Sequence, residues 1–469
     1  MAASYAARLR TAYPFKPAST SVDHLVVGGG VVGLSVAAGL VNTAGRDRTT
    51  FVVERRGLLG QETTARNSEV IHSGIYYPVG SLKSRFCIRG RDLLYKRAEA
   101  LGIRHRKTGK LIVATDKHQI PYLDQLNDHT QHPSFSTGGE VSSRSPNSVI
   151  PAYFLSGDEA REMEPDLSRD VCAALYVPDT GIVDSAGLVD SLAREIEEED
   201  YLADAPGVGV GLSAGSGKYE RGEGVVVPGT RVVRVDKEED GPGWVVQLET
   251  GWEGKAEGEK GDVEAVRADV VVDAAGLNCL SLVENLVPES ERLGMWISKG
   301  NYMSYKGPGV SNIQRLIYPC PGRTLDHLGT HLTLDLDGNV RFGPDAEPLG
   351  SDVDSRADPD YWTAHLAPSE AQLEAIGRAA REYLPDVDPS RLTPDYAGFR
   401  PNIRAPGAGF FDFVVRHAPE RRGLVELMGF ASPGLTSSLA AGEYVARLVR
   451  REVWNEEAGP EKLAEGWEL

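Results

Sequence analysis

The chain has 469 residues, 41% hydrophobic and 25% charged, which places it among globular proteins and excludes a disordered or fibrous chain. The 50 Lys+Arg against 68 Asp+Glu give a formal charge of −18. This disfavours nucleic acid as a partner unless a local basic patch overrides it, and an acidic substrate has to find its own basic pocket. Cys87, Cys172, Cys279 and Cys320 form no CxxC pair and have no His at ligand spacing. No metal site and no disulfide scaffold is therefore expected, only small core side chains in a reducing compartment.

Residues 1–22 hold Arg8, Arg10 and Lys16 and no acid before Asp23. That is the composition of a mitochondrial presequence or of a frayed terminus, the alternative location being cytoplasmic. In either case they are expected to be a tail dispensable for activity. His24–Val27 reads as a strand, GGGVVG as a turn, Leu34–Leu40 as a helix and Thr49–Val53 as a second strand. The apolar run Leu25–Val41 is shorter than the ~20 residues a bilayer span requires, so no transmembrane segment is expected. Ser81–Leu101 is helical and stops at Gly102, Lys110–Ala114 is a strand, and 129–150 is a polar loop.

Ser185 is expected to cap a helix running to Tyr201. The Gly-rich stretches 205–224 and 251–262 read as hairpin tips lengthened by insertion. Strands follow at Thr230–Asp236, Gly243–Thr250 and Ala268–Asp273, with more between Met295 and Phe342. Helices are expected at Ser369–Tyr383 and Leu435–Glu452. The pattern predicts an α/β fold in which a Rossmann-type nucleotide-binding domain (23–100, 181–292 and 391–469) carries an inserted β-rich, mixed-sheet substrate domain (101–180 and 293–390).

Gly28, Gly30 and Gly33 occupy the three positions of GxGxxG, and Glu54 ends the next strand 21 residues after Gly33. The first glycine makes the turn, the second admits a pyrophosphate and the third lets helix pack on strand. The diphosphate then meets the helix N-terminus. An acid at Glu54 accepts from ribose hydroxyls and disfavours a 2′-phosphate. The late strand DVVVDAAG, 269–276, and a second helix start at Pro433-Gly434-Leu435-Thr436 favour FAD over NAD, since a helix dipole there suits a reduced, anionic flavin.

In this order the motifs resemble the D-amino-acid-oxidase-type FAD oxidoreductase superfamily. Within it, Arg66-Asn67-Ser68-Glu69-Val70-Ile71-His72-Ser73-Gly74-Ile75-Tyr76-Tyr77-Pro78 is similar to the L-2-hydroxyglutarate dehydrogenase family, as are Leu316-Ile317-Tyr318-Pro319, Leu328-Gly329-Thr330-His331, Gly343-Pro344-Asp345-Ala346 and Ser432-Pro433-Gly434-Leu435-Thr436. The resemblance implies noncovalent FAD and oxidation of a 2-hydroxy acid, above all L-2-hydroxyglutarate, to the 2-oxo acid. It also implies electron delivery to an acceptor other than oxygen, a quinone or a flavoprotein, with peripheral membrane contact allowed. The implied cofactor contacts are Gly28, Gly30, Val32, Gly33, Glu54, Arg55, Thr64, Arg66, Asn67, Ser68, Val70, Val233, Ala275, Gly276, Gly434, Leu435 and Thr436. Glu69 departs from the glycine usual in the family, and Gly398-Phe399-Arg400-Pro401-Asn402 departs from GVRAQ.

Oxidising a 2-hydroxy acid requires a base for the hydroxyl proton, and histidine titrates near working pH. His72 and His331 are the candidates, both lying in family-like motifs. Arg400 is the expected carboxylate anchor because its guanidinium makes a bidentate fork. Lys299, Tyr77 and Tyr318 are further substrate-site candidates. Two alternatives remain open at this stage: an amine or amino-acid oxidase of the same superfamily, and a non-catalytic nucleotide-binding protein.

Overall fold

Strand β1 (Thr20–Val27) lies parallel between β2 (Thr49–Val53) and β3 (Asp262–Asp273), with Val27 level with both Val53 and Asp273. Its aliphatic residues are buried because helices cover one face and a β-meander the other. Helix α1 (Val31–Thr43) follows the glycine turn. A Cβ on Gly33 would stand 2.0 Å from the Gly28 carbonyl oxygen, so no larger residue allows the helix to start so close to the strand. Glu223–Val227 extends the parallel sheet beyond β2, and Leu424–Met428 adds to β3. β3 is 12 residues long because it serves two partners: its first half closes the antiparallel meander and its second half pairs with β1.

This description comes from a computed structural model and covers residues 5–43, 45, 47–132, 149–211, 221–239, 241–255, 259–321, 329–349, 361–403 and 409–456. The middle of the loop expected at 129–150, parts of both Gly-rich stretches and Leu328 lie outside the described residues.

Helix α2 (Leu82–Leu101) is capped by Ser81, whose hydroxyl accepts the Ser84 N–H, and ends at Gly102 in the left-handed conformation. Helix α3 (Gly434–Glu452) is held against both earlier helices through glycine contacts. An added Cβ on Gly442 would lie 2.3 Å from the Ser35 oxygen of α1, and one on Gly90 of α2 would lie 2.1 Å from the Thr436 oxygen of α3. Around these contacts Val36, Leu40, Leu94, Leu439, Val445 and Val449 are buried. A buried Arg97–Glu195 pair at 2.5 Å, with Asn42 donating to the same carboxylate, ties α1 and α2 to the helix Ser185–Glu197.

The second unit is a nine-stranded mixed sheet. Its longest pairing is β4 (Trp296–Tyr305) with β5 (Leu392–Asn402), antiparallel, with Ser298 level with Arg400 and Gly300 level with Gly398. Leu316–Pro319 runs parallel to Lys110–Ala114, which pairs in turn with Ala173–Val177. The α/β expectation therefore holds, a Rossmann-type unit with a β-rich one inserted.

Three local expectations are corrected. The boundary expected at 391 moves, because β5 hydrogen-bonds to β4 and leaves this sheet only at Asn402. Residues 5–22 are not a tail. Helix Tyr5–Ala12 docks on the meander through Arg10 and Asp236 at 2.6 Å, the buried Tyr13 hydroxyl donates to Glu249 at 2.8 Å, and β1 begins at Thr20. Asp184, not Ser185, caps its helix by accepting the Gly187 N–H; the Ser185 hydroxyl is committed to Glu69. Truncation to residue 21 is therefore no longer expected to be neutral.

Substituting Gly442→Ala forces α1 and α3 apart. Overpacking of this kind costs about 1–3 kcal/mol, and both helix starts open on the site described next. The expected outcome is a lower melting temperature together with weaker retention of flavin after gel filtration. Wild-type behaviour on both measures would show that the helix contact does not set the site.

Candidate active site

The ends of β1, β2 and β3 and the starts of α1 and α3 surround one cavity of about 1570 Å³ that runs on to the faces of β4 and β5. This exceeds the ~300–1,000 Å³ of an ordinary ligand pocket, leaving space for a dinucleotide and a small substrate end to end. Of the residues expected to touch the cofactor, all but Val233 and Thr436 line it. Val233 is buried in its strand and the neighbouring Val232 faces the cavity instead, since adjacent strand residues point to opposite sides. Thr436 is wholly buried and works behind the wall: its hydroxyl donates to the Val70 carbonyl at 3.1 Å and accepts the His72 N–H at 3.0 Å.

At the glycine-turn end, the Glu54 carboxylate accepts the Gly29 and Arg56 backbone N–H groups, both at 2.8 Å. Burial pushes its pKa up, and these two N–H groups oppose that shift. A carboxylate offers about four lone-pair sites, so each oxygen keeps capacity for a ribose hydroxyl. Thr64 accepts the Val31 N–H at the first turn of α1, and Arg55 pairs with Glu62 at 2.8 Å.

At the other end the loop 66–78 folds between the two sheets. Glu69 has φ 55, which explains why glycine suits this position. Glu69 offsets that strain by accepting the Ser185 hydroxyl and N–H and by donating its own N–H to Asn67. Gly398 lets β5 approach the same loop, since a Cβ there would lie 2.0 Å from the Arg66 oxygen. His72 follows the short strand Val70–Ile71, and its Nε2 lies 3.5 Å from the Ser432 hydroxyl. Burial, and next the Lys110 ammonium, push the His72 imidazole down to about 3, so it is neutral at working pH. His331 lies flat on Tyr318, with ring centroids 3.5 Å apart.

Arg400 is half-buried, with its Nη2 donating to the Asp345 carbonyl at 2.7 Å and its Nη1 3.5 Å from Ser298 Oγ. Burial lowers its pKa, with Tyr302 and Asp345 opposing. Gly300 makes room for this side chain, as a Cβ there would lie 2.7 Å from Nη2. Tyr77, Tyr318, His331 and Arg400 all line the cavity. Lys299 does not: it points away from the Arg400 side of β4 and donates to the Ala367 carbonyl at 2.5 Å.

Sequence reasoning missed Tyr302, which lines the cavity and stacks on Tyr396 at 4.4 Å, and Lys110, a fully buried lysine behind Tyr76 and Tyr318. The available signal for Lys110 was a charge heading the otherwise apolar strand KLIVA.

The residues fit FAD. The glycine turn leaves a cradle, two helix starts face the cavity, and Arg66 Nε, His72 Nδ1 and Ser437 Oγ are buried with no hydrogen-bond partner among the described residues. Among those residues no group of three or more His, Cys, Asp or Glu could hold a metal ion, and no helix is long and apolar enough to cross a membrane.

Comparison with known proteins agrees. The family described as FAD dependent oxidoreductase matches residues 23–448, and the chain belongs to it. Within that family it is closely related to L-2-hydroxyglutarate dehydrogenase. It is 34% identical to the mitochondrial L-2-hydroxyglutarate dehydrogenase of Arabidopsis thaliana over 443 residues, covering 92% of this chain and 84% of that one. It is 26% identical to the L-2-hydroxyglutarate dehydrogenase of Escherichia coli, covering 91% of this chain and 93% of that one. Among solved structures, the FAD-bound L-alpha-glycerophosphate oxidase of Mycoplasma pneumoniae superimposes with a TM-score of 0.68 at 21% identity over 92% of this chain and 94% of that one, which shows the shared fold. The protein is thus an FAD-dependent 2-hydroxy-acid dehydrogenase of this family.

Glu54→Ala is expected to weaken FAD retention at least tenfold, because hydrogen bonds to a charged group contribute about 1.5–3 kcal/mol, while the spectrum of the flavin that stays bound is unchanged. Unaltered retention on dialysis would remove Glu54 from the ribose site.

Proposed function

We propose that the enzyme oxidises L-2-hydroxyglutarate to 2-oxoglutarate, with His72 as the base and Arg400 as the carboxylate anchor. The observation that carries this reading is the pairing, in one cavity, of a neutral, half-buried imidazole with a half-buried guanidinium of which only two N–H donors are engaged within the described residues. The bound cofactor supplies the hydride acceptor.

Arg400 takes a substrate carboxylate from a desolvated position, where a charge-assisted fork is strong and directional. His72 Nδ1 is buried and Nε2 lies on the Ser432 side. The Nδ1–H tautomer therefore leaves the Nε2 lone pair to accept the C2 hydroxyl proton as hydride leaves C2. Thr436 and the Val70 strand fix the imidazole backbone while this happens. His331 is held face-on to Tyr318 and serves as wall rather than base; Tyr77 and Tyr318 supply hydroxyls along that wall.

The relatives, named as dehydrogenases of L-2-hydroxyglutarate, favour a dehydrogenase of that substrate over an amine or amino-acid oxidase. The mitochondrial designation of the Arabidopsis relative supports a mitochondrial location, whereas the Escherichia coli relative carries none.

Removing a general base typically costs ~10²–10⁴-fold in rate. In stopped-flow flavin bleaching with L-2-hydroxyglutarate, His72→Ala is expected to lose that much while His331→Ala loses far less. Arg400→Lys keeps the charge and loses the fork, so KM rises more than kcat falls. Wild-type bleaching by His72→Ala, or bleaching by amino acids and not by 2-hydroxy acids, overturns the assignment.

A further inference from the structure

The order of groups in the cofactor site decides what lies beyond Glu54. A pyrophosphate suits the glycine turn and the start of α1, a ribose suits the Glu54 carboxylate, and the base comes next along the molecule. The strand Thr230–Lys237 starts at that point: the Thr230 N–H donates to the Glu54 carbonyl and the Gly229 N–H to that of Arg56, both at 2.8 Å. Thr230, Arg231 and Val232 line the cavity, and so does Trp252, two residues past the following strand. Thr230 is buried, and its hydroxyl has no hydrogen-bond partner among the described residues.

A third segment reaches this end from the start of the chain. Helix Tyr5–Ala12 packs against the strand Thr230–Lys237 and the short helix Cys279–Val283, and its Leu9 lines the same cavity. The Leu9 carbonyl accepts the Tyr13 N–H at 2.7 Å. The buried Tyr13 hydroxyl donates to Glu249 at 2.8 Å and accepts from Arg231 Nη2 at 3.2 Å, while Arg231 Nε donates to the same Glu249 oxygen at 2.7 Å. The Arg231 guanidinium then lies over the Trp252 ring, 4.2 Å from its centre. One connected group thus joins the N-terminal segment to the indole.

We propose that the N-terminal helix is part of the cofactor site: Leu9 and Trp252 cover the adenine of FAD, and the Tyr13–Glu249–Arg231 group positions them. This rests on the reading of Glu54 as the ribose partner and is independent of the substrate. A purine has apolar faces and polar edges, so its site needs apolar side chains that the core has not used. Leu9 and Trp252 are both half-buried, and neither belongs to a hydrophobic core among the described residues. Covering a base removes more of their surface from water. Thr230 places an unpaired hydroxyl beside them, and a buried hydroxyl without a partner is costly until a ligand edge supplies one. Arg231 is held by Glu249 and Tyr13, and a guanidinium over an indole fixes the ring through cation–π attraction.

The test measures FAD release from the diluted full-length holoenzyme, read as the rise in free-flavin fluorescence. Loss of an aromatic contact with a base is expected to speed release about tenfold in Trp252→Ala, whereas Trp252→Phe keeps a ring and stays within about twofold of wild type. Leu9→Ala loses less apolar contact and speeds release about fivefold. Tyr13→Phe speeds release about threefold, and much less when combined with Trp252→Ala, because residues that act through one another are not additive. The absorption spectrum of the bound flavin and the melting temperature of the cofactor-free variants stay those of wild type. Wild-type release by both alanine variants overturns the proposal. Faster release matched by a lower melting temperature of the cofactor-free protein, or failure of Leu9→Ala to fold, makes the helix structural and overturns it equally. Wild-type release by Glu54→Ala instead defeats the ribose reading, whatever the other variants do.

Discussion

Everything in the site depends on how closely three helices approach one another. α1 and α3 meet where Gly442 faces the Ser35 carbonyl, and α2 meets α3 where Gly90 faces the Thr436 carbonyl. Any side chain at these points would separate the helices by more than the site can tolerate. Because they stay close, the positive ends of α1 and α3 open on the same cavity from two directions. Thr436, one turn into α3, then reaches back to hold the strand that presents His72. A packing constraint is thereby turned into the position of His72 on the cavity wall.

The second sheet contributes through a similar close approach. Gly398 brings β5 against the backbone of Arg66, and Gly300 on β4 leaves space for the Arg400 side chain. The register that sets Ser298 opposite Arg400 therefore also sets where the guanidinium meets the cavity. Asp345 completes the arrangement by accepting the guanidinium at its carbonyl while its carboxylate is occupied by Asn301. The acid is thus turned away from the guanidinium that its own backbone carbonyl holds.

Much of this was legible in the sequence, for identifiable reasons. The glycine turn, Glu54 and the SPGLT helix start are local features, fixed by neighbours along the chain, and they line the cavity. Features set by strand parity or by distant packing were not legible. Val233 and Lys299 were each displaced by the alternation of a strand, and no composition rule tells which of two neighbouring residues faces inward. The N-terminal residues looked like a tail because their partners, Asp236, Gln247 and Glu249, come more than 200 positions later. Asp184 and Ser185 both suit a helix cap, and only the distant Glu69 settled which of them serves. Lys110 could not be placed at all from its strand, since its aromatic neighbours come from separate segments.

The molecule is strongly acidic, whereas its cavity is lined by five acidic and five basic side chains, with Arg66 and Arg400 at the faces of β4 and β5. A chain carrying −18 repels a dicarboxylate at long range, but exposed charges beyond about a Debye length, ~8–10 Å, are largely screened by salt. Where the cavity meets β4 and β5, Arg400 stands beside Ser298 and Arg66 keeps an uncommitted Nε–H, with Lys110 buried behind the tyrosines that line it. Their cost to folding is not recovered by carboxylates of the protein, because Asp345 is turned to Asn301 and Glu69 to Ser185. An anionic ligand supplies the missing counter-charge through its carboxylate and relieves that cost on binding. Interactions between buried charges strengthen as water leaves, so the same arrangement that weakens the empty fold favours a bound anion.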